Sequence, residues 1–467
     1  MNIYIIRANL IQCAFVLREV SHSCISYLSN KPFIKKILSF EQIKDANDVI
    51  CIKNIFEKKK YQEKNFLNLD ISRKDIACII YTSGTQGNPK GVMLSHGGIL
   101  SNCEGALFLL KDFISKKARF LTWLPLSHSY EHTVQFVQIA LGAKVFYAES
   151  IEKLIKNMGE CNPDIMTAVP RFYQNLYQKI NASFNKTNGL KKYLINKMLS
   201  LGEKAFFKNK LSNLEKVQNF ICEKLVRKKI KAQFGGSLKL FISGGGALDK
   251  DVGVFLNAIG LPTLQGYGLT ETSPVVSCNP KDDIRIDTVG PAFAANEVKI
   301  ADDGEILVKG ENVMLGYWNN EEETKKVLND GWLSTGDVGH FENKYLKITD
   351  RKKDILITPG GENISPIKIE NDLLKIDFVE QTLVYGDNKP YLVALLVLNK
   401  EKLNITDEII LKELEIVNKN LSKIEKIKKF IVIKDQFTIE NGLVTPTLKL
   451  KRYKIIQKYK NHLENLY

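Results

Sequence analysis

Apolar and polar positions along the chain change their period several times, and each change marks a different kind of element. Residues 76–81 (IACIIY) are a short continuous apolar run ending at a Ser/Gly/Thr-rich loop, the pattern of a buried strand followed by a turn. SHGGILSNCEGALFLL then reads as a helix capped by Ser95, whose hydroxyl can accept from a free N–H of the first turn. Strand-like runs recur at 120–126, 144–148, 164–169 and 238–243 with helical patterns between them. That alternation predicts an α/β domain of mostly parallel sheets flanked by helices.

Residues 181–235 are rich in Lys, Leu and Phe, with only Gly189 and Gly202 as breakers before Gly235. They read as amphipathic helices, either a solvated insertion with a core-facing stripe or a membrane-surface element. From residue 297 short strands alternate with turns such as Asp302-Asp303-Gly304, and after Asp350 a new αβ pattern runs to Tyr467. The expected division is a large N-terminal domain at 1–350 and a small mobile α+β domain at 351–467. The hinge is expected at Asp350–Lys353.

Composition narrows the class. With 467 residues, 44% hydrophobic and 25% charged, the chain can bury a large core as an ordinary globular protein. Its net charge of +15 comes from 67 basic residues, of which nine are arginines. Lysine is spread over the whole chain, so the excess reads as solvated faces and not as a nucleic-acid patch, although polyanionic small molecules would be attracted. The eight cysteines form no CxxC pair, which argues for reduced thiols in a cytoplasmic protein and against a metal cluster. The opening MNIYIIRANLIQCAFVLREV is interrupted by Arg7, Gln12 and Arg18; it is too short to span a bilayer and reads as part of the fold.

Four separated segments carry the chemistry: YTSGTQGNPKG at 81–91, QGYGLTET at 265–272, WLSTGD at 332–337 and DRKKDILITPGGENIS at 350–365. In the first, hydroxyls, small residues and one cation follow a strand directly. Thr82, Ser83, Gly84, Thr85, Gln86 and Gly87 can bring backbone N–H groups and hydroxyls against phosphate oxygens, with Lys90 adjusting the charge. A Walker-type loop needs Ser or Thr after its lysine, and here Gly91 follows. Asp337 can accept hydrogen bonds from both hydroxyls of a ribose, and Arg351 offers a forked donor that lysine could not copy. No Ser-His-Asp arrangement emerges, nor a thiol beside a basic partner.

Together these segments resemble the core motifs of the adenylate-forming superfamily, from about Ile76 to the C-terminus. LPLSHSYEH at 124–132, AVPRFYQNLY at 168–177, the Lys-rich stretch leading into KLVRKKIKAQFGGSLKLFISGGG and the ending LVTPTLKLKR are similar to the long-chain fatty acyl-CoA synthetases within it. The resemblance implies ATP-dependent activation of a long-chain fatty acid to an acyl-adenylate, then transfer to CoA, with Mg²⁺ required and fatty acid, ATP and CoA as partners. By the same resemblance Tyr267 and Gly268 face adenine, Gly245 and Gly246 line its edge, Thr270 meets the α-phosphate and Glu271 holds Mg²⁺. Lys449 is the catalytic lysine, His128 lies near the acyl and CoA path, and Trp123 lines or gates the acyl tunnel. Lys353 is the hinge, and Gly361 belongs to a segment that closes on the site after pyrophosphate leaves.

The leading 75 residues are shorter than the family's usual region. That makes a truncated, non-catalytic acyl-AMP or lipid-binding relative one alternative to the CoA ligase; within enzymes the alternative is an acyl-AMP or acyl-carrier-protein ligase that does not use CoA. Localisation is expected to be cytoplasmic, peripheral at the inner membrane surface.

Overall fold

The computed structural model describes residues 70–82, 89–399, 405–445 and 447–467, apart from the side chains of 114–116, together with the backbone of four earlier strands. Contacts divide the chain into two compact units, 1–71 and 72–467. In the first unit the strands Ile3–Ala8, Ile11–Val16, Lys36–Ser39 and Val49–Cys51 form one sheet in chain order. The apolar opening segment thus supplies an antiparallel hairpin.

The second unit is built around a six-stranded sheet. Its order is Val275–Cys278, Thr263–Gly268, Leu240–Ser243, Ile165–Ala168, Arg119–Thr122, Lys144–Tyr147. All neighbours pair in parallel except the first two. Helices cover both faces, as connections between parallel strands require. On one side α1 (His96–Leu109) and α2 (Ser129–Ala140) enclose a core containing Ile99, Phe120, Val137 and Leu264. On the other, α3 (Leu154–Cys161), α4 (Pro170–Asn185) and α5 (Gly189–Phe206) pack over Met158, Met166, Tyr173, Met198 and Phe241. The insertion continues through α6 (Asn213–Cys222), a π turn at Glu223–Arg227 and α7 (Lys228–Gln233), after which α8 (Lys250–Ala258) returns to the sheet. Ser95 caps α1 as its sequence suggested, its Oγ accepting from the Gly98 N–H at 3.0 Å.

The 76–81 run departs from expectation. It is a strand, Ile76–Thr82, but it pairs antiparallel with Lys90–Ser95 in a separate three-stranded sheet, and only Ile80 along it is buried. A continuous apolar run cannot distinguish a half-covered hairpin strand from a buried parallel one.

Downstream, Asn296–Ile300, Glu305–Gly310 and Trp332–Glu342 form an antiparallel sheet with Tyr345–Arg351, and a short helix α9 (Glu321–Val327) lies in the chain between the second and third of them. The C-terminal part holds α10 (Pro366–Leu373), α11 (Asp407–Lys419), α12 (Arg452–Glu464) and a sheet of Val379–Tyr385, Leu392–Leu398 and Ile427–Ile433. The middle strand is buried at every position. Its period of two sends Leu392, Ala394, Leu396 and Leu398 to the α10–α11 side and Val393, Leu395 and Val397 to the α12 side, so one strand serves two cores. Among the described residues no helix is long and apolar enough to cross a membrane.

Arg452 holds α12 to this sheet. Its guanidinium meets Glu370 at 2.5 Å and donates to the Val384 carbonyl at 2.8 Å, while Glu370 also accepts from the Val384 N–H at 2.7 Å. Burial pushes the Glu370 carboxyl up and Arg452 pulls it back. Removing the cation strands an enclosed carboxylate, which costs about 3–5 kcal/mol. Arg452→Ala is therefore expected to melt the C-terminal part well below the rest of the chain in calorimetry; an unchanged transition would contradict this role.

Candidate active site

Ligands of open parallel sheets bind beyond the carboxyl ends of the strands, where the connecting loops diverge. A cavity of about 600 Å³ lies there, lined by Thr167 and Ser243 at the ends of two strands and by Gly266–Gly268 at the end of a third. Segments remote in sequence converge on it. Thr82 and Lys90 come from the hairpin, Thr270 and Glu271 from the turn after Gly268, Ser334–Gly336 and Arg351–Lys353 from adjacent strands, and Lys449 from the C-terminal part.

The last two motif segments meet because Asp337 and Arg351 are direct cross-strand partners. Arg351 Nε donates to Asp337 Oδ1 at 2.8 Å, and the Tyr267 hydroxyl donates to Oδ2 at 2.7 Å. Three of the four motif segments are thus joined through one carboxylate. Gly268 belongs here for steric reasons, because a Cβ would overlap the Pro274 carbonyl oxygen.

Around this carboxylate the cavity is strongly cationic. Lys449 is an exposed residue that lines the cavity. Desolvation there, with Arg351 and Lys353 nearby, lowers its pKa to about 8, while Asp337 and Asp354 work in the other direction. Burial and the Arg351 charge likewise lower Lys353. The excess of cations over carboxylates makes this end of the cavity attractive to an anion. Lys90 is already paired, with Glu323, and lies 4.9 Å from the centre of the Tyr317 ring.

His128 caps α2, its Nδ1 accepting from the Tyr130 N–H at 3.3 Å. A capping ring nitrogen must be unprotonated, which agrees with burial and the Lys449 charge lowering the His128 pKa to about 4. The ring is therefore neutral at pH 7. Ser129 in the first turn of α2 shares a 3.1 Å hydrogen bond with Thr270, so the positive end of the helix dipole faces the cavity beside the Thr270 hydroxyl. The Glu271 carboxylate accepts from the Tyr317 hydroxyl at 2.9 Å. Among the described residues no group of three or more His, Cys, Asp or Glu side chains could hold a metal alone. A single carboxylate such as Glu271 fits Mg²⁺ that arrives on phosphate oxygens and keeps most of its other ligands.

Of the residues singled out in the sequence, Thr82, Lys90, His128, Gly245, Tyr267, Gly268, Thr270, Glu271, Arg351, Lys353 and Lys449 line the cavity. Asp337 supports it through Tyr267 and Arg351. Ser83, Gly84, Thr85, Gln86 and Gly87 lie outside the described residues. Gly246, Trp123 and Gly361 are not among the lining residues. Trp123 donates its indole N–H to the Thr167 carbonyl at 2.9 Å and packs on Phe172, so it supports the wall. Gly361 turns the hairpin between Leu356–Ile357 and Asn363–Ile364 with φ of +82°. Lys451, two residues beyond Lys449, is the N-cap of α12 and does not line the cavity.

Sequence reasoning missed a second, apolar arm. It runs between α1 and α2 along Ala106, Leu110, Val134, Val137, Phe120 and Phe293, and several of these side chains also belong to the core beneath. They come from four elements, and each one alone looks like an ordinary core residue. The only local signal is Gly105, where a Cβ would overlap the Phe293 ring.

The chain matches the AMP-binding enzyme family over residues 5–318 and the AMP-binding enzyme C-terminal domain over 353–467. A long-chain-fatty-acid–CoA ligase of Mycobacterium bovis is 31% identical over 84% of this chain and 69% of its own length. The peroxisomal long chain acyl-CoA synthetase 6 of Arabidopsis thaliana is 30% identical over 99% of this chain and 72% of its own. Among solved structures, ATP-bound MatB of Rhodopseudomonas palustris superposes with a TM-score of 0.64 at 25% identity, covering 85% of this chain and 70% of that one. The O-succinylbenzoate coenzyme A synthetase of Bacillus subtilis, in complex with ATP and magnesium ion, shares the fold with a TM-score of 0.65 at 22% identity, over 93% and 81%.

The charge balance has a direct test. Asp337 raises the Lys449 pKa, so Asp337→Asn is expected to lower it further, extending the neutral form of the amine below pH 8. The pH dependence of reductive methylation at Lys449, followed by mass spectrometry without ligands, reads this out. A midpoint that stays put or rises would show that Asp337 does not govern the field at Lys449.

Proposed function

As the chain belongs to the AMP-binding enzyme family, we propose that it is an AMP-forming ligase joining a long-chain fatty acid to CoA. The observation that carries this reading is a single cavity with two unlike ends: a cationic, hydroxyl-bearing end holding Thr270, Glu271, Arg351 and Lys449, and an apolar arm between α1 and α2. A nucleotide triphosphate suits the first and an acyl chain the second. The two meet where a carboxylate would face an α-phosphate.

In the first half-reaction a carboxylate oxygen attacks the α-phosphorus of ATP and pyrophosphate leaves, giving the acyl-adenylate. Negative charge builds at that junction. Lys449 and the Thr270 hydroxyl stabilise it there, fixed donors in an enclosed site being worth more than the same donors in water. Tyr267 flanks the adenine, and Arg351, oriented by Asp337, reaches ribose or phosphate. Thr82 and Lys90 flank the phosphate loop. Glu271 holds Mg²⁺, which neutralises phosphate oxygens when bound.

In the second half-reaction the CoA sulfur attacks the acyl carbon and AMP leaves, with His128 beside the acyl and CoA path. The small domain, 351–467, turns about Lys353 between the two steps and brings the Gly361 hairpin toward the site. Because its substrate partitions into lipid, the protein works peripherally at a membrane surface.

The direct assay supplies palmitate, ATP and Mg²⁺ with either CoA or an acyl carrier protein, and identifies the product by mass spectrometry. Palmitoyl-CoA is expected; a thioester on the carrier alone, or no thioester, would contradict the CoA ligase. Lys449→Ala is expected to lose adenylation by about a hundredfold while still converting supplied palmitoyl-adenylate to palmitoyl-CoA. Equal damage to both steps would contradict alternation of the small domain. Gly105→Val is expected to drive Phe293 into the arm, and excluding two methylenes costs about 1.6 kcal/mol, roughly fifteenfold in kcat/KM for the longest acids. Octanoate should be spared. A uniform loss over all chain lengths would remove the arm as the acyl site.

A further inference from the structure

The helical insertion carries an apolar face that the catalytic cavity does not use. From Asn213 through the π turn to Gln233 the chain is continuously helical, and Cys222, Arg227 and Ile230 on it are buried. Leu214, Val217, Ile221 and Leu225 recur at spacings of three and four, which places them in one stripe on another side, with Phe220 next to it. All five are 41–68% exposed. A helix needs one apolar stripe to dock on its own core; a second stripe turned to solvent marks a surface for something else.

The surroundings of the stripe identify the partner. Lys216, Lys224, Lys228 and Lys229 are exposed along the same stretch, and the Lys224 ammonium lies 4.5 Å from the Phe220 ring centre. Glu215 and Glu223 are drawn to Lys204 and Lys231. Over residues 189–233 eleven lysines and Arg227 face only Glu203, Glu215 and Glu223. A second copy of a chain with net charge +15 would be repelled by such a face. An anionic surface would be attracted, and an amphipathic helix with lysines beside its apolar stripe inserts at the boundary between headgroups and acyl chains.

We propose that the stripe Leu214, Val217, Phe220, Ile221 and Leu225 is a membrane-docking face, seated on an anionic bilayer by Lys224, Lys228 and Lys229. It gives a structural basis to the peripheral placement proposed above and rests on that reading for its purpose, which is to hold the cavity near the phase in which a fatty acid is dissolved.

The test uses the full chain and co-sedimentation with vesicles of phosphatidylcholine, alone or with about one third phosphatidylglycerol. Wild type is expected to sediment with the anionic vesicles only, and to be released by salt. Two variants, one with Leu214, Val217, Ile221 and Leu225 all changed to Ser and the other with Lys224, Lys228 and Lys229 changed to Glu, should each lose partitioning by about tenfold or more. Both should keep wild-type ATP–pyrophosphate exchange with octanoate in the absence of vesicles. Unchanged partitioning in the variants, equal binding to neutral vesicles, or no vesicle binding by wild type would overturn the docking face. So would a wild-type dimer that the serine variant converts to monomer, because the stripe would then belong to a second copy. Vesicle binding by a wild-type chain that shows no exchange would contradict the ligase and leave the docking face standing.

Discussion

One carboxylate organises the site. Asp337 takes the guanidinium of its cross-strand partner Arg351 on one oxygen and the hydroxyl of Tyr267 on the other, and in doing so fixes the relative positions of strands from two different sheets. It is also the main negative charge opposing a cluster of cations. Without it Arg351, Lys353 and Lys449 would face one another across an enclosed space, and Lys449 would lose its proton more readily than it does. A polyphosphate entering the cavity completes a balance that Asp337 leaves deliberately short, since an enclosed cation without a partner is costly and an anion relieves that cost. Anion binding in this cavity and the charge state of Lys449 are therefore one problem.

The two parts of the 72–467 unit also meet through polar contacts. Lys375 reaches Asp251 at 2.6 Å and Asp249 at 3.8 Å, Gln178 donates to the Leu374 carbonyl, and Arg171 donates to the Glu380 carbonyl. The Lys375–Asp251 pair is exposed and of modest strength, whereas the Gln178 and Arg171 contacts are partly buried.

Much of this was legible in the sequence because it depended on local rules. The Ser95 cap, the alternation of strands and helices through 119–268 and the four motif segments each have a short-range physical cause, and the folded chain brings the segments to one cavity. What was not legible depended on three-dimensional partners. A continuous apolar run at 76–81 has no feature that distinguishes a half-covered hairpin from a buried parallel strand. Trp123 carries the composition of a tunnel gate, yet its indole N–H finds the Thr167 carbonyl and its ring finds Phe172. Lys449 and Lys451 share one basic run in the sequence, and in the fold Lys449 lines the cavity while Lys451 caps α12. The apolar arm was hidden for the same reason, being assembled from one or two residues of each of four segments remote in sequence.

The most direct measurement follows one oxygen atom. If a fatty carboxylate attacks the α-phosphorus and the thiol later breaks the bond between the acyl carbon and oxygen, an oxygen of the acid must remain on the nucleotide. Palmitate labelled with oxygen-18 in its carboxylate, turned over with ATP and CoA, is predicted to give AMP carrying one labelled oxygen together with palmitoyl-CoA. Unlabelled AMP, or ADP in its place, would contradict the adenylate route on which the whole account stands.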